Sequence, residues 1–191
     1  MGDSAKVCFM IPITFVDLET TGLDSNKAEI IELAAVKTEI SDGKLVIVDS
    51  AEFKVVPQYP VDPAVAKLNG YNEEEWGMYG ESETVAVGAI FNLMRGCWHA
   101  GSNPKFDEAF LRYAAERFNW EYPKLASYHI IDVTMLAFHL LINGTVETLK
   151  QETIAKHYEI GGGGHRAMAD ALQCARLFAK INNLEFQWSR P

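Results

Sequence analysis

The chain has 191 residues and a net charge of −9, from 17 Lys+Arg against 26 Asp+Glu. That length buries one sizeable core without disulfide staples, and a 48% hydrophobic, 23% charged composition is that of an ordinary globular protein. The acidic balance argues against general duplex binding, which draws on many phosphate contacts, though not against an enzyme that grips only a strand end. No stretch reaches the roughly 18 apolar residues that a membrane span requires. Cys8, Cys97 and Cys174 are odd in number and far apart, with no CxxC pair. They suggest neither a disulfide framework nor a structural zinc site, so a reducing, cytoplasmic location is expected. Met1 to Met10 reads as the lead-in to a strand rather than a signal peptide.

In chain order, Ile11–Glu19 reads as a buried strand, Glu29–Ile40 as a second and Lys44–Val56 as a third. The turn signal Ser41-Asp42-Gly43 separates the last two. The segment from Pro57 to Glu83 predicts a short helix and loops, with Glu73-Glu74-Glu75 as a solvated face. A helix over Ser82–Met94 and a short strand over Cys97–Gly101 follow. Pro104 suits the first turn of a helix running from Lys105 to Phe118. Tyr128–Ile131 predicts a fifth strand, then two helices broken at Asn143-Gly144. The Gly161–Gly164 run opens a final helix over Arg166–Ile181. There is no internal repeat. The expectation is one α/β domain over 1–191, with its core over 11–181, a short tail over 182–191 and a mixed five-stranded sheet flanked by helices.

Residues two apart on a strand share a face, so Asp17 and Glu19 project together beside Ile13 and Phe15. Two acids ending an apolar strand face are costly unless compensated, although a solvent-exposed strand end is the plain alternative. Asp107 begins a helical stripe with Phe110, Leu111, Ala114 and Phe118, and Asp170 begins one with Cys174, Leu177, Phe178 and Ile181. A single Asp so placed is usually a cap or an ion-pair partner. If both helices pack on the face of Asp17 and Glu19, four carboxylates converge. Such a group needs neutralising cations, and oxygen-only ligands favour Mg²⁺ or Mn²⁺. Two such ions about 3.5–4 Å apart form a clamp for in-line phosphodiester hydrolysis.

His165 lies five residues before Asp170, roughly 140° away on one continuous helix, so it cannot line the same pocket from that helix. The four preceding glycines place it instead on a mobile loop from which it can swing inward as a general base. A linker histidine without a task is the plain alternative. His99, His129, His139 and His157 have no comparable context. No Gly-Lys-Ser/Thr follows the glycines, which excludes a phosphate-cradling P-loop.

Three segments together resemble the DEDDh (DnaQ-like) exonucleases, of ribonuclease H-like fold. They are Phe15-Val16-Asp17-Leu18-Glu19-Thr20-Thr21-Gly22-Leu23-Asp24, Asn103-Pro104-Lys105-Phe106-Asp107 with Phe110-Leu111, and His165-Arg166-Ala167-Met168-Ala169-Asp170-Ala171. Ile30-Ile31-Glu32-Leu33-Ala34-Ala35-Val36 looks like the family's second strand. The resemblance spans residues 17 to 170, and its His-x4-Asp spacing distinguishes this branch from relatives that use Tyr. It implies Asp17, Glu19, Asp107 and Asp170 as ligands of two Mg²⁺ or Mn²⁺ ions, with His165 as general base. It also implies a Thr20 backbone contact to a terminal 3′-OH, a wedge at Leu23 and a stacking platform at Phe106. Asn103 joins these as a substrate contact from the second motif, with Lys105 and Arg166 as candidates for phosphate. Asp132 resembles a recurring family Asp but reads here as a helix cap.

The expected activity is removal of nucleotides, as 5′-monophosphates, from the 3′ end of a single-stranded or frayed strand, with DNA preferred. The proofreading-subunit branch has the most similar first motif, and any polymerase partner is expected in trans. The alternatives are an RNA-trimming enzyme of the same family, a non-catalytic nucleic-acid scaffold and an endonuclease on the same fold. No surface stripe decides between monomer and homodimer.

Overall fold

The computed structural model describes residues 12–188. Ile11, Cys8 and the Met1–Met10 lead-in lie outside the described residues. Three strands form an antiparallel meander: β1 (Pro12–Thr20), β2 (Ile30–Ser41) and β3 (Lys44–Lys54). Asp42 and Gly43 both take positive φ, 49° and 75°, which matches the twist of a two-residue hairpin turn. Two helices rather than one follow, α1 (Pro63–Asn69) and α2 (Glu73–Tyr79), and the Glu73–Glu75 run forms the exposed first turn of α2.

Then come α3 (Glu83–Met94), β4 (Trp98–Gly101) and α4 (Pro104–Arg117). A Cβ on Gly101 would stand 3.0 Å from the Val16 carbonyl and 3.3 Å from Pro104 Cβ. The absent side chain therefore lets β4 end against β1 and α4 begin at once. The chain continues through α5 (Tyr122–Leu125), β5 (Ile130–Asp132), α6 (Val133–Leu136), α7 (Phe138–Ile142), α8 (Gln151–His157), α9 (Ala167–Ile181) and β6 (Glu185–Trp188).

The sheet has six strands, in the order β5-β4-β1-β2-β3-β6, where five were expected. The sixth lies in the supposed tail and pairs parallel with β3 from Lys44 to Ile47. Its four residues are too few to carry a legible alternation. Strand alternation divides the core. Ile13, Phe15, Val36 and Leu45 pack against α9, and Val16, Leu18, Leu33 and Ala35 pack against α3 and α4. The two acid-bearing helices thus cover opposite faces of the sheet, not one face as expected. Among the described residues no helix is long and apolar enough to cross a membrane.

Candidate active site

The site forms where β1 runs out past its neighbours. β4 pairs with β1 only from Ile13 to Phe15, so the end of β1 is open on that side. The N-terminus of α4 fills the gap, and the Leu18 backbone N–H donates to Asp107 Oδ1 at 3.1 Å. Asp17 and Glu19 project from the opposite, α9 side of the strand. There they meet Asp170, and one oxygen from each of the three lies within 4.8 Å of the others. Convergence therefore occurs around a strand end, with Asp107 arriving by way of the backbone that its carboxylate caps. A bulge between Glu19 and Thr20 ends the regular β1–β2 register at this point, as bulges beside functional sites often do.

Electrostatics mark the cluster as under-compensated. Burial, then Asp107, Asp170 and Glu19, push Asp17 well above the ordinary carboxylate range. Burial and the Asp170 and Glu32 carboxyls raise Glu19 to about 7. Burial raises Asp107 to about 8, against the pull of its backbone hydrogen bonds. The donor set is oxygen only, and burial with mutual repulsion lifts Asp17, Glu19 and Asp107 above the ordinary carboxylate range for want of positive charge. Both features fit a divalent cation at Asp17, Glu19 and Asp170, with Asp107 close by.

A fifth acid was not singled out from sequence. Glu32, fully buried, stands directly opposite Glu19 across the β1–β2 ladder. Like charges so placed repel. Burial and the Glu52 carboxyl hold Glu32 up to about 7, and the Arg166 guanidinium opposes them, Nε lying 3.2 and 3.1 Å from its two oxygens. The available signal was an acid inside the apolar run Ile30–Val36. Arg166, expected at a phosphate, thus spends its Nε on Glu32. Lys105, the other expected phosphate contact, binds Glu108 at 2.8 Å although its side chain is 74% exposed.

His165 is exposed and takes φ +58°, after Gly162, Gly163 and Gly164 at +102°, +82° and +105°. The loop expected to be mobile is tied down. The Arg166 backbone N–H donates to Asp170 Oδ2 at 3.1 Å, and Gln173 Nε2 donates to the Gly162 carbonyl at 2.6 Å. His165 and Asp170 line one cavity of about 620 Å³ between α8 and the loop, together with Lys150, Gln151, Lys156 and Gln173.

Thr20 Oγ1 closes a local turn onto the Gly22 carbonyl at 2.7 Å, and beyond it Leu23 stands 88% exposed. Asn103 is exposed in the left-handed conformation at the start of α4. Phe106 packs on Phe110 with ring centroids 5.0 Å apart. Asp132 caps α6, accepting from the Thr134 and Met135 backbone N–H groups, as its sequence context suggested.

The family model of the RNase_T exonucleases matches residues 14–178. The DNA polymerase III PolC-type protein of Caldanaerobacter subterraneus subsp. tengcongensis is 30% identical over 168 residues, which cover 86% of this chain and 11% of that protein. Ribonuclease T of Actinobacillus pleuropneumoniae serotype 5b is 27% identical over 183 residues, covering 89% of this chain and 83% of its own. The crystal structure of E. coli exonuclease I with a dT13 oligonucleotide superposes with a TM-score of 0.77 at 20% identity, over 91% of this chain and 41% of that one.

Proposed function

This chain belongs to the RNase T-type exonuclease family, a group of metal-dependent 3′→5′ nucleases with a ribonuclease H-like fold, and we propose that it trims single-stranded or frayed 3′ ends, DNA preferred. The observation that carries this reading is the triad of carboxylate oxygens within 4.8 Å at the open end of β1, with Asp107 beside it. Asp17, Glu19, Asp107 and Asp170 would hold two divalent ions. When bound, these supply Lewis-acid polarisation of the attacking water and charge stabilisation of the leaving 3′ oxygen.

The chain's own groups do the rest. His165 removes a proton from the attacking water, a contribution typically worth about 10²–10⁴-fold. The Thr20 backbone and Leu23 receive the terminal nucleotide, and the exposed Leu23 side chain wedges beside its base. Phe106 and Asn103, at the start of α4, contact the same nucleotide. Lys105 reaches phosphate by releasing Glu108. Arg166 keeps two terminal amino groups with no acceptor among the described residues while its Nε stays on Glu32. The released product is a nucleoside 5′-monophosphate.

Single-stranded DNA is favoured by the likeness to exonuclease I, whose structure holds an oligothymidylate. An RNA-trimming activity is the second reading, since ribonuclease T is matched over 83% of its length. The PolC-type likeness suggests a polymerase partner; this chain spans 11% of that protein. The test uses 5′-labelled single-stranded DNA and its RNA counterpart with Mg²⁺, with EDTA and circular single-stranded DNA as controls. A ladder shortening from the 3′ end, faster on DNA, abolished by EDTA and absent from circles is expected. Cleaved circles would make the protein an endonuclease, and binding without degradation would make it a scaffold.

A further inference from the structure

Gln173 is out of keeping with its position. It lies on α9 among Ala171, Cys174, Ala175 and Leu177, is 5% exposed, and is the one polar residue on the buried side of that helix beyond Asp170. A buried amide is costly unless both its ends are bonded, and here both are. Its Nε2 donates to the Gly162 carbonyl at 2.6 Å, and its Oε1 accepts from Gln151 Nε2 at 3.1 Å. The same Gln151 amide donates to the Asp170 carbonyl at 3.1 Å. Two helices and the glycine loop therefore meet on one side chain.

The loop cannot stand off from this anchor. A Cβ on Gly163 would lie 2.9 Å from Gln173 Oε1 and 3.0 Å from Asp170 Oδ1, so the backbone there touches both side chains. Four successive residues, Gly162 to His165, hold positive φ, and His165 alone of them has a side chain to make that unfavourable. Such a run persists only where its surroundings over-determine it. The ties that hold it are Gln173 at Gly162 and Asp170 at the Arg166 N–H, one on either side of His165.

We propose that Gln173 is a positioning residue, which fixes the Gly162–His165 loop and so presents the His165 imidazole beside Asp170. The proposal rests on His165 acting as the general base. It makes the loop a pre-set arm rather than a swinging one. Gln173 touches no reacting atom, and its effect passes entirely through His165.

The test compares the parent, Gln173→Met, His165→Ala and the double variant, by kcat and KM on a DNA oligonucleotide and by backbone ¹⁵N order parameters without metal. Gln173→Met keeps the volume and removes both hydrogen bonds. Order parameters over residues 161–165 should fall from about 0.85 towards 0.6 or below while the rest of α9 is unchanged. The kcat should drop at least about tenfold with little change in KM, as misplacing a catalytic group by an ångström can do. In the His165→Ala background the same substitution should cost nothing further. An equal loss in both backgrounds, or an unchanged loop, overturns the proposal. A loosened loop with His165→Ala as fast as the parent supports the anchor and removes His165 as the base. Gln173→Leu, which removes both hydrogen bonds with a differently shaped apolar side chain, must show the same loosening and keeps the test decisive should the Met variant not fold.

Discussion

Asp107 and Glu108 are successive residues of α4, both buried, and they differ chiefly in the cations each can reach. Burial pushes the Glu108 carboxyl up, but Lys105 at 2.8 Å and Arg112 at 2.6 Å outweigh it and hold Glu108 below its usual range. Asp107 receives only backbone N–H donors and is held at about 8. Asp17 and Glu19, which no cation contacts, are likewise raised. A single cation does not reverse this at Glu32, where burial and the Glu52 carboxyl prevail over Arg166 and keep it at about 7. A fold that merely had to bury acids would treat all of them as it treats Glu108. Leaving one subset without cations keeps a place for positive charge that the chain does not itself supply.

The sharpest way to break this comparison is to truncate each neighbour in turn. Asp107→Ala should lower the exonuclease rate by about 10³-fold or more, the scale of losing a transition-state charge stabiliser, while leaving the protein folded. A ladder assay with a melting curve checks both halves, and full activity would remove Asp107 from the site. Metal should produce the next largest effect. Between about pH 4, where unfolded carboxyls ionise, and about pH 7 to 8, where Glu19 and Asp107 do, the folded chain binds more protons than the unfolded one. Stability of the metal-free protein should therefore fall as pH rises through that window. Mg²⁺ at a hundredfold excess over its Kd should restore about 2.7 kcal/mol at pH 8 and much less at pH 5. A metal-free melting temperature that rises from pH 5 to pH 8 would contradict the account.

Glu108→Ala is the converse experiment. It should cost about 1–2 kcal/mol in denaturant titrations, because a charge-assisted pair is lost and its exposed cations return to water, while most of kcat survives. Glu32→Gln should have the smallest effect at neutral pH, since Glu32 is held at about 7 and losing the Arg166 ion pair is offset by relief of repulsion towards Glu19. A loss of several kcal/mol would show that Arg166 and Glu32 carry more of the fold than their geometry implies.

The sequence made Asp17, Glu19, Asp107 and Asp170 legible because each sits at the polar end of a regular apolar pattern, and strand and helix periods put those ends on known faces. It misplaced α4, because a stripe says that a helix packs inward but not onto which face of the sheet. Asp107 arrives from the opposite face through a bond to the Leu18 backbone, and no side-chain pattern encodes such a bond. Glu32 and Gln173 went unnoticed for a related reason. Each is one polar residue inside an apolar run, and its partner lies far off in sequence or in a loop carbonyl. β6 escaped because four residues hold too little alternation. The glycine run pointed to a mobile loop, and composition alone could not show that Gln173 ties it.

The most direct measurement is a calorimetric titration of Mn²⁺ into the metal-free protein at pH 7, repeated in buffers of different ionisation enthalpy to count released protons. Two ions per chain, with net proton release that is retained in Glu108→Ala and reduced in Asp107→Ala, is the predicted result. Absence of binding, or binding that releases no protons, would show that the carboxylates at the end of β1 are not waiting for a cation.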